Sequence, residues 1–202
     1  MKEYQPLLMI DDTTKDGHAE TIMDYIISWC IRCTNYQYVK EKQPTLYQYC
    51  KYMLCVLLNK IDQIKDIMVD DVHVWKQEER TDLWAEVVLY VKDKTEPKYN
   101  KEKHALLIEN KYYTLTRDGQ LAKYRQTFEE YYKDNMEFPE DNLHRALVTC
   151  LYSTSSYYVS LKQDADANKF DLFNLYELVD KSMNYAPSES DIFNQLFIEE
   201  WI

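Results

Sequence analysis

Residues 81–113, TDLWAEVVLYVKDKTEPKYNKEKHALLIENKYY, contain the stretch that decides the fold. Two segments rich in apolar and β-branched residues, 82–92 and 102–113, flank a short polar connection. This pattern predicts two neighbouring antiparallel strands. A turn in the middle of the connection pairs positions whose numbers sum to about 191, so Asp82 is expected to lie opposite Glu109.

Three charged residues are predicted to converge at one end of this hairpin. Directly opposed residues project from the same face of a sheet, and Lys111, two residues beyond Glu109, projects from that face too. Two carboxylates ~5 Å apart repel each other and need a cation between them. Mg²⁺ binds one or two carboxylates, carbonyl oxygens and water, which makes Asp82, Glu109 and the backbone carbonyl of Asn110 candidate metal ligands. Lys111 would then stabilise a nucleophile or the charge that develops on a phosphate.

The same residues also fit a solvated ladder of ion pairs on an exposed sheet face. Glutamate and lysine two positions apart are common in solvated strands, and each such pair contributes only about 0.5 kcal/mol. Spacing alone leaves the metal site and the surface ladder of Asp82, Glu109 and Lys111 open.

The remaining periodicity predicts an α/β fold. It places helices and strands over these ranges: helices over 18–33, 44–60 and 117–132, and strands over 67–75 and 145–153. Residues 34–44 form a polar connection, and the segment 172–202 is expected to be helical. The order α, α, β, β, β, α, β, α, α predicts one domain over residues 1–202, with a mixed sheet of about four strands flanked by helices.

Glycine content and charge exclude some function classes. The only glycines, Gly17 and Gly119, cannot form a glycine-rich phosphate loop or a dinucleotide-binding fingerprint. The net charge of −11 argues against a non-specific nucleic-acid binder. Residues 94–125 differ from the rest of the chain, because eight Lys or Arg there outnumber four Asp or Glu and give a net charge of +4.

Cysteine usage and hydropathy indicate the expected compartment. The five cysteines are odd in number and lie in apolar segments, so we expect reduced, buried thiols in a cytoplasmic protein. The opening residues MKEYQPLLMIDD are not typical of a signal peptide. No run approaches ~18 uninterrupted apolar residues, so no membrane span is expected.

Three ordered motifs carry a family resemblance: RTDLWAEVVL, then ALLIENKYY, then GQLAKY. Together they resemble the PD-(D/E)XK nuclease superfamily, in particular bacterial members with Arg-x-Asp, a strand ending in Glu-Asn-Lys, and Gln-Leu-x-x-Tyr on the next helix. The resemblance covers about 90 residues, because the predicted order of elements over 67–153 is similar to that superfamily's core. It implies a restriction-endonuclease-like αβββαβ fold, with the helix over 18–33 as the leading helix.

The resemblance implies a role for each matched residue. Asp82 and Glu109 would be metal ligands and Lys111 the catalytic lysine, while Gln120 would face the active site from its helix. The superfamily often adds a glutamate from the leading helix, and Glu20 is the candidate here. An acid near a helix N-terminus also stabilises the helix, so both interpretations of Glu20 stay open.

Three further residues are candidates for substrate binding. Tyr124 belongs to the third motif but also lies on the apolar stripe of its helix, so it either packs or contacts substrate. Arg80 either binds phosphate or pairs with Glu78 or Glu79. Lys123 is a candidate phosphate contact on the same helix as Tyr124.

The resemblance implies a prokaryotic nuclease that uses Mg²⁺ or Mn²⁺ to hydrolyse phosphodiester bonds, with DNA favoured over RNA and the choice between them left open by the sequence. The products would carry 5′-phosphate and 3′-hydroxyl ends. Replacing Glu109 or Lys111 with alanine should then abolish cleavage and leave the melting temperature nearly unchanged. The acidity leaves two other functions open. One is a catalytically inactive nuclease-fold module that binds protein or nucleic acid, and the other is a subunit whose homodimer mate or protein partner supplies affinity for DNA.

Overall fold

The computed structural model describes residues 19–75 and 83–199, which form a mixed five-stranded sheet flanked by helices. Strand order in the sheet follows the chain. Strands β1 to β3 form an antiparallel meander, and β4 and β5 are added in parallel. The strands are β1 (Ile67–Trp75), β2 (Leu83–Lys92), β3 (Tyr99–Lys111), β4 (Leu143–Thr149) and β5 (Asp171–Asn174). The prediction of an α/β fold with a mixed sheet is confirmed.

Helices cover both faces of this sheet. One of them begins at Pro44. Proline suits this position because the first backbone N–H groups of a helix make no hydrogen bond within it. The helices are α1 (Ala19–Cys33), α2 (Gln37–Lys42), α3 (Pro44–Leu57), α4 (Gln120–Tyr132), α5 (Ser156–Ala167) and α6 (Asp191–Phe193), which continues as a π-helix over Asn194–Glu199. Short 3₁₀ turns occupy Ile61–Gln63, Glu140–Asn142, Leu175–Leu178 and Lys181–Met183. None of these helices is both long and apolar enough to cross a membrane.

Three parts of the expected order are wrong. The connection predicted over 34–44 contains α2, and the segment expected to be helical from residue 172 contains β5 and 3₁₀ turns. Helix α5 was not predicted, because it buries only Leu161 and Ala165 and its apolar stripe is too short to show periodicity. Strand β5 spans four residues, too few for alternation to be read. The sheet therefore has five strands rather than four.

The predicted hairpin register is confirmed over the described residues. Leu83 lies opposite Ile108 and Trp84 opposite Leu107, so paired residue numbers sum to 191. Asp82 and Arg80 lie outside the described residues.

Alternation along β3 divides the core into two layers. Leu106 and Ile108 join the larger cluster, which is formed with α1 and α3. Leu107 faces the other way and joins Trp84 and α4 in the second cluster. Since successive side chains project to opposite faces, Glu109 is expected on the α4 face. All five cysteines are buried and free, as expected.

A buried histidine pair lies at the end of the parallel strands where β4 begins. His104 Nδ1 lies 3.0 Å from His144 Nε2, and His104 Nε2 lies 2.9 Å from Glu102 Oε2. Lys60 Nζ donates to the same Glu102 oxygen at 2.8 Å. Burial, followed by the neighbouring His104, lowers the pKa of His144 to about 3. Burial also lowers the pKa of His104, against the opposing effect of its hydrogen bond to Glu102.

Acid is therefore expected to destabilise the fold through these histidines. Below their ordinary pKa of 6.5 the unfolded chain binds protons that the folded chain does not. Stability from these histidines is full above that pH and falls as the pH drops. For His144 the loss is about 1.4 kcal/mol per pH unit, down to its folded pKa of about 3. His144→Phe should flatten the dependence of the free energy of unfolding on pH between about pH 6 and pH 4. Urea unfolding of both proteins measures this, and an unchanged slope would contradict it.

Candidate active site

Three of the residues predicted from the sequence meet at the carboxyl end of β3. Glu109 and Lys111 are only 1% and 7% exposed. The Lys111 ammonium donates a hydrogen bond to Glu109 Oε1. Gln120 Nε2, from the start of α4, donates to the same oxygen at 2.6 Å. The structure therefore brings one carboxylate, one ammonium and one amide together at a single buried point.

Burial excludes one of the two interpretations of this stretch that spacing left open. A solvated ladder requires exposed side chains, but Glu109 and Lys111 are both buried. The surface-ladder alternative is therefore wrong for these two residues. Burying an ion costs several kcal/mol, and the attraction between the two charges of a pair offsets that penalty only in part. Apolar residues at these two positions would therefore be expected to stabilise the fold at least as well as Glu109 and Lys111 do.

Asn110 projects to the opposite face of the sheet from Glu109. Its Nδ2 donates to Asp24 Oδ1 of α1 at 2.7 Å, and both residues are buried. The side chain of Asn110 therefore cannot contribute to a site on the Glu109 face. Its backbone carbonyl, which the sequence predicted as a metal ligand, is the part of Asn110 that could. Asp24 was missed, although an acid inside an otherwise apolar helix, four residues after Glu20, was a readable signal.

Glu20 reaches this site from the first turn of α1. Its Oε2 lies 4.0 Å from Lys111 Nζ, and its Oε1 accepts a hydrogen bond from Thr114 Oγ1. Of the two interpretations of Glu20, the contact with Lys111 favours a place in the site. Thr114 was not predicted, because nothing local marks a threonine in a loop as a contact of a distant helix.

The amide of Gln120 is held on both sides. Its Oε1 accepts from the backbone N–H of Arg117 at 3.0 Å, while its Nε2 also lies 3.1 Å from the hydroxyl of Tyr124. Gly119 precedes it with a φ of +68°, a left-handed conformation that glycine adopts without steric cost. Tyr124 is buried and packs in the second core, yet its hydroxyl reaches Gln120. The turn at Gly119 and the start of α4 thus aim Gln120 at Glu109.

These side chains line an open cleft of about 630 Å³ between the carboxyl end of β3 and the start of α4. Lys123, a predicted substrate contact, is among the residues that line it. Positive and negative charges balance in the described lining, which includes Lys111, Arg117 and Lys123 beside Glu20, Glu109 and Asp118. The loop that carries Thr116 is tied to α5, since Thr116 Oγ1 donates to Asp164.

The donor chemistry of the cleft suits a hard divalent cation. Over residues 19–75 and 83–199, no three His, Cys, Asp or Glu side chains are grouped to hold a metal ion. Mg²⁺ needs only one or two carboxylates, completed by carbonyl oxygens and water. Glu109 and Glu20 supply carboxylates on the cleft wall, and Asp82, the other predicted ligand, lies outside the described residues. The described part of the site therefore fits such an ion.

Glu109, Lys111 and Gln120 thus form a buried polar cluster at the base of the cleft, and Glu20 faces Lys111 from α1. The arrangement can hold a cation, neutralise a developing negative charge and keep one carboxylate in a fixed orientation. Comparisons of this chain with protein-family models, with curated proteins and with solved structures find no match.

Proposed function

We propose that this protein is a metal-dependent nuclease that hydrolyses phosphodiester bonds, with DNA as its substrate. One observation carries the proposal: Lys111 and Gln120 both donate to one oxygen of the buried carboxylate of Glu109, at the base of an open cleft. The resemblance to PD-(D/E)XK nucleases in the sequence assigns these three residues to catalysis. The order of β1, β2, β3, α4 and β4 agrees with that superfamily's core.

The geometry favours a catalytic role for the cluster over a structural one. A buried ion pair is a weak stabiliser, because the cost of removing both charges from water offsets most of their attraction. Such pairs are typical of functional sites when they line a cleft with other convergent polar groups. Glu109 and Lys111 meet both conditions, since they line the cleft with Gln120 and Glu20.

Each side chain would contribute a separate part of the reaction. Mg²⁺, when bound, would supply a hydroxide-like nucleophile and neutralise charge on the phosphate. Glu109 and Glu20 would hold it together with Asp82. Lys111, between Glu109 and Glu20, would stabilise the negative charge that develops on the phosphoryl oxygens. Arg117 and Lys123, exposed on the cleft wall, would bind flanking phosphates.

Cleavage of plasmid and linear DNA with Mg²⁺ or Mn²⁺ tests the proposal. We expect cleavage that stops when EDTA is added, and product ends that a ligase rejoins without phosphorylation, because the resemblance implies 5′-phosphates. Calorimetric titration with Mn²⁺ should show binding to the same protein. Folded protein that neither binds the metal nor cuts DNA would contradict the proposal.

Gln120 is expected to act by positioning Glu109. Gln120→Ala removes the hydrogen bond that Gln120 donates to the Glu109 carboxylate. It should lower the cleavage rate constant by about 10- to 100-fold, the usual cost of losing a group that orients a ligand. Because Gln120 does not itself hold substrate, KM should change little. Gln126→Ala, an exposed glutamine on the same helix, is the matched control. Equal rates for both variants would contradict the role of Gln120.

The balanced charge of the cleft supports two alternatives. The described wall carries three cations and three acids, and the net charge of the chain is −11, so the described part of the cleft offers no excess of positive charge to hold a long nucleic acid. This favours a catalytically inactive module, or a subunit whose mate or protein partner supplies affinity for DNA. The inactive module predicts no cleavage with metal under any condition. The dependent subunit predicts cleavage that appears only when the partner is added.

A further inference from the structure

Helix α1 carries a buried carboxylate that the proposed mechanism does not use. Asp24 is 4% exposed, and it lies three and seven residues before Ile27 and Ile31, which are fully buried on the same side of the helix. An apolar residue is the ordinary occupant of such a position, because removing a carboxylate from water is costly. The presence of Asp24 there therefore needs a reason other than packing.

The partner of Asp24 is a residue at the carboxyl end of β3. Asn110 Nδ2 donates a hydrogen bond to Asp24 Oδ1 at 2.7 Å, and Asn110 is fully buried. A hydrogen bond of this length is typical of a charged acceptor, and such bonds are about twice as strong as those between neutral groups. Asn110 stands between Glu109 and Lys111 in the chain, so this bond ties α1 to the middle of the charged segment.

The same helix supplies Glu20 to the cleft, one turn before Asp24. Residues four apart are neighbours on a helix surface. Asn110 and Lys111 are consecutive residues of a strand, so their side chains project to opposite faces of the sheet. Asp24 contacts Asn110 on one face, while Glu20 Oε2 lies 4.0 Å from Lys111 Nζ, which belongs to the other face. The first turn of α1 therefore reaches past the end of β3.

The contacts that hold this first turn differ in burial. The side chain of Glu20 is 34% exposed, and Thr114, which donates to Glu20 Oε1, is also exposed. Exposed ion pairs and hydrogen bonds of this kind add little stability, because water competes for the same groups. The bond between Asp24 and Asn110 is closed to water on both sides. Among these contacts, it is the one that can fix the position of the first turn.

We propose that Asp24 is a positioning residue, whose hydrogen bond to Asn110 holds the first turn of α1 over the end of β3 and thereby places Glu20 beside Lys111. This inference rests on the proposed nuclease function, in which Glu20 would be a metal ligand. It adds a residue that is not part of the described cleft lining. Asp24 acts through Glu20, because its own contact lies on the other face of the sheet.

A double-mutant cycle on Glu20 and Lys111 tests this positioning without metal or DNA. Glu20→Gln, Lys111→Met and the combined variant are compared by urea unfolding, which isolates the interaction between the two side chains. The cycle is repeated in a protein that carries Asp24→Leu with Asn110→Leu. Replacing a buried polar pair with two apolar residues is often nearly neutral for stability, so this protein is expected to fold. We expect coupling in the native background and its loss in the leucine pair, and retained coupling would overturn the inference.

Metal binding and cleavage give a second measurement on the same proteins. The leucine pair should bind Mn²⁺ about 10- to 100-fold more weakly in calorimetry, the usual cost of losing a group that orients a ligand. Its cleavage rate constant should fall as well, with little change in KM for DNA. Asp24→Asn should keep most of the affinity, because its amide oxygen can still accept from Asn110. Native Mn²⁺ affinity in the folded leucine pair would overturn the inference.

A second pair of the same residue types serves as the control. Asn35 Nδ2 donates to Asp71 Oδ1 at 3.1 Å and ties the chain just after α1 to β1. Neither residue is part of the described cleft lining. Asn35→Leu with Asp71→Leu should leave the coupling and the Mn²⁺ affinity at their native values. An equal loss in this variant would mean that any loosening of α1 has the same effect, and it would overturn a specific role for Asp24.

An exchanged pair keeps the inference testable if the leucine pair does not fold. Asn110→Asp alone places two buried carboxylates together, which repel each other, and it should abolish the coupling. Adding Asp24→Asn restores one donor and one acceptor and should restore the coupling between Glu20 and Lys111. Failure of the exchanged pair to restore it would overturn the inference.

The outcomes separate this inference from the proposed function. Metal-dependent cleavage by the native protein, with coupling unchanged in the leucine pair, would overturn the inference and leave the nuclease standing. No metal binding and no cleavage, with coupling that the leucine pair loses, would contradict the nuclease and support the positioning of Glu20 by Asp24. Absence of coupling between Glu20 and Lys111 in the native protein would overturn the inference whatever the activity.

Discussion

Replacing Glu109 with glutamine is expected to reduce metal-dependent DNA cleavage by roughly three orders of magnitude or more. Glutamine keeps the shape of the side chain but removes the negative charge that would hold the cation and that pairs with Lys111. Initial rates of plasmid nicking at saturating Mn²⁺ measure the effect. Calorimetry on the same variant should show weakened binding of Mn²⁺.

Glu86→Gln is the matched control for this change. Glu86 is a partly buried carboxylate on β2, it accepts a hydrogen bond from the Tyr132 hydroxyl at 2.9 Å, and it does not line the cleft. Its variant should cut DNA at the native rate. Cleavage by Glu109→Gln within tenfold of the native rate would rule out Glu109 as the metal-binding carboxylate.

The structure also changes what we expect for stability. From the sequence alone, alanine at Glu109 or Lys111 should leave the melting temperature nearly unchanged. Both side chains are buried against each other, and removal of one buried partner typically costs 3–5 kcal/mol because the other charge stays buried. The free energy of unfolding should therefore fall in both alanine variants, and less in Glu109→Gln, which can still accept from Gln120.

Trp84→Ala is expected to lower the free energy of unfolding by about 3–5 kcal/mol. Trp84 is fully buried on β2 beneath α4, with its ring edge-on to Phe128 at 4.9 Å and to Tyr131 at 5.3 Å. Alanine leaves a cavity that the rigid sheet and helix can fill only in part. Urea unfolding followed by circular dichroism measures the loss.

Trp84→Phe separates packing from polarity at this position. The indole Nε1 is buried without a hydrogen-bond partner among the described residues, and an unsatisfied donor costs about 1–3 kcal/mol. Phenylalanine removes that donor and keeps most ring contacts, so its cost should be much smaller than that of alanine. A loss below about 1 kcal/mol in Trp84→Ala would show that α4 can move into the space.

Local patterns were sufficient for the hairpin and for three site residues. The register of β2 against β3 followed from the length of the polar connection and the alternation of apolar residues. The positions of Glu109 and Lys111 at the end of β3, and of Gln120 at the start of α4, followed from the motifs. These features depend on residues close in sequence or joined by one turn.

Contacts between distant segments were not readable in the same way. Asp24 meets Asn110 across 86 positions, and Thr116 meets Asp164 across 48. Helix α5 and strand β5 carry too few apolar residues to show a period, and β5 has its hydrogen-bonding partner in the edge of β4. Such contacts depend on how layers pack, which one strand or helix does not reveal.

The sequence by itself determined the strands of the hairpin, their pairing and the residue types at the end of β3, because backbone alternation and turn length are local properties. The tertiary structure alone decided that Glu109 and Lys111 are buried and that Glu20 of α1 lies 4.0 Å from Lys111. Burial depends on α1 and α4 closing over the two faces of the sheet. The sequence pattern at the end of β3 fitted either an exposed ladder of ion pairs or a metal site. The packing of α1 and α4 makes Glu109 and Lys111 part of a buried polar cluster.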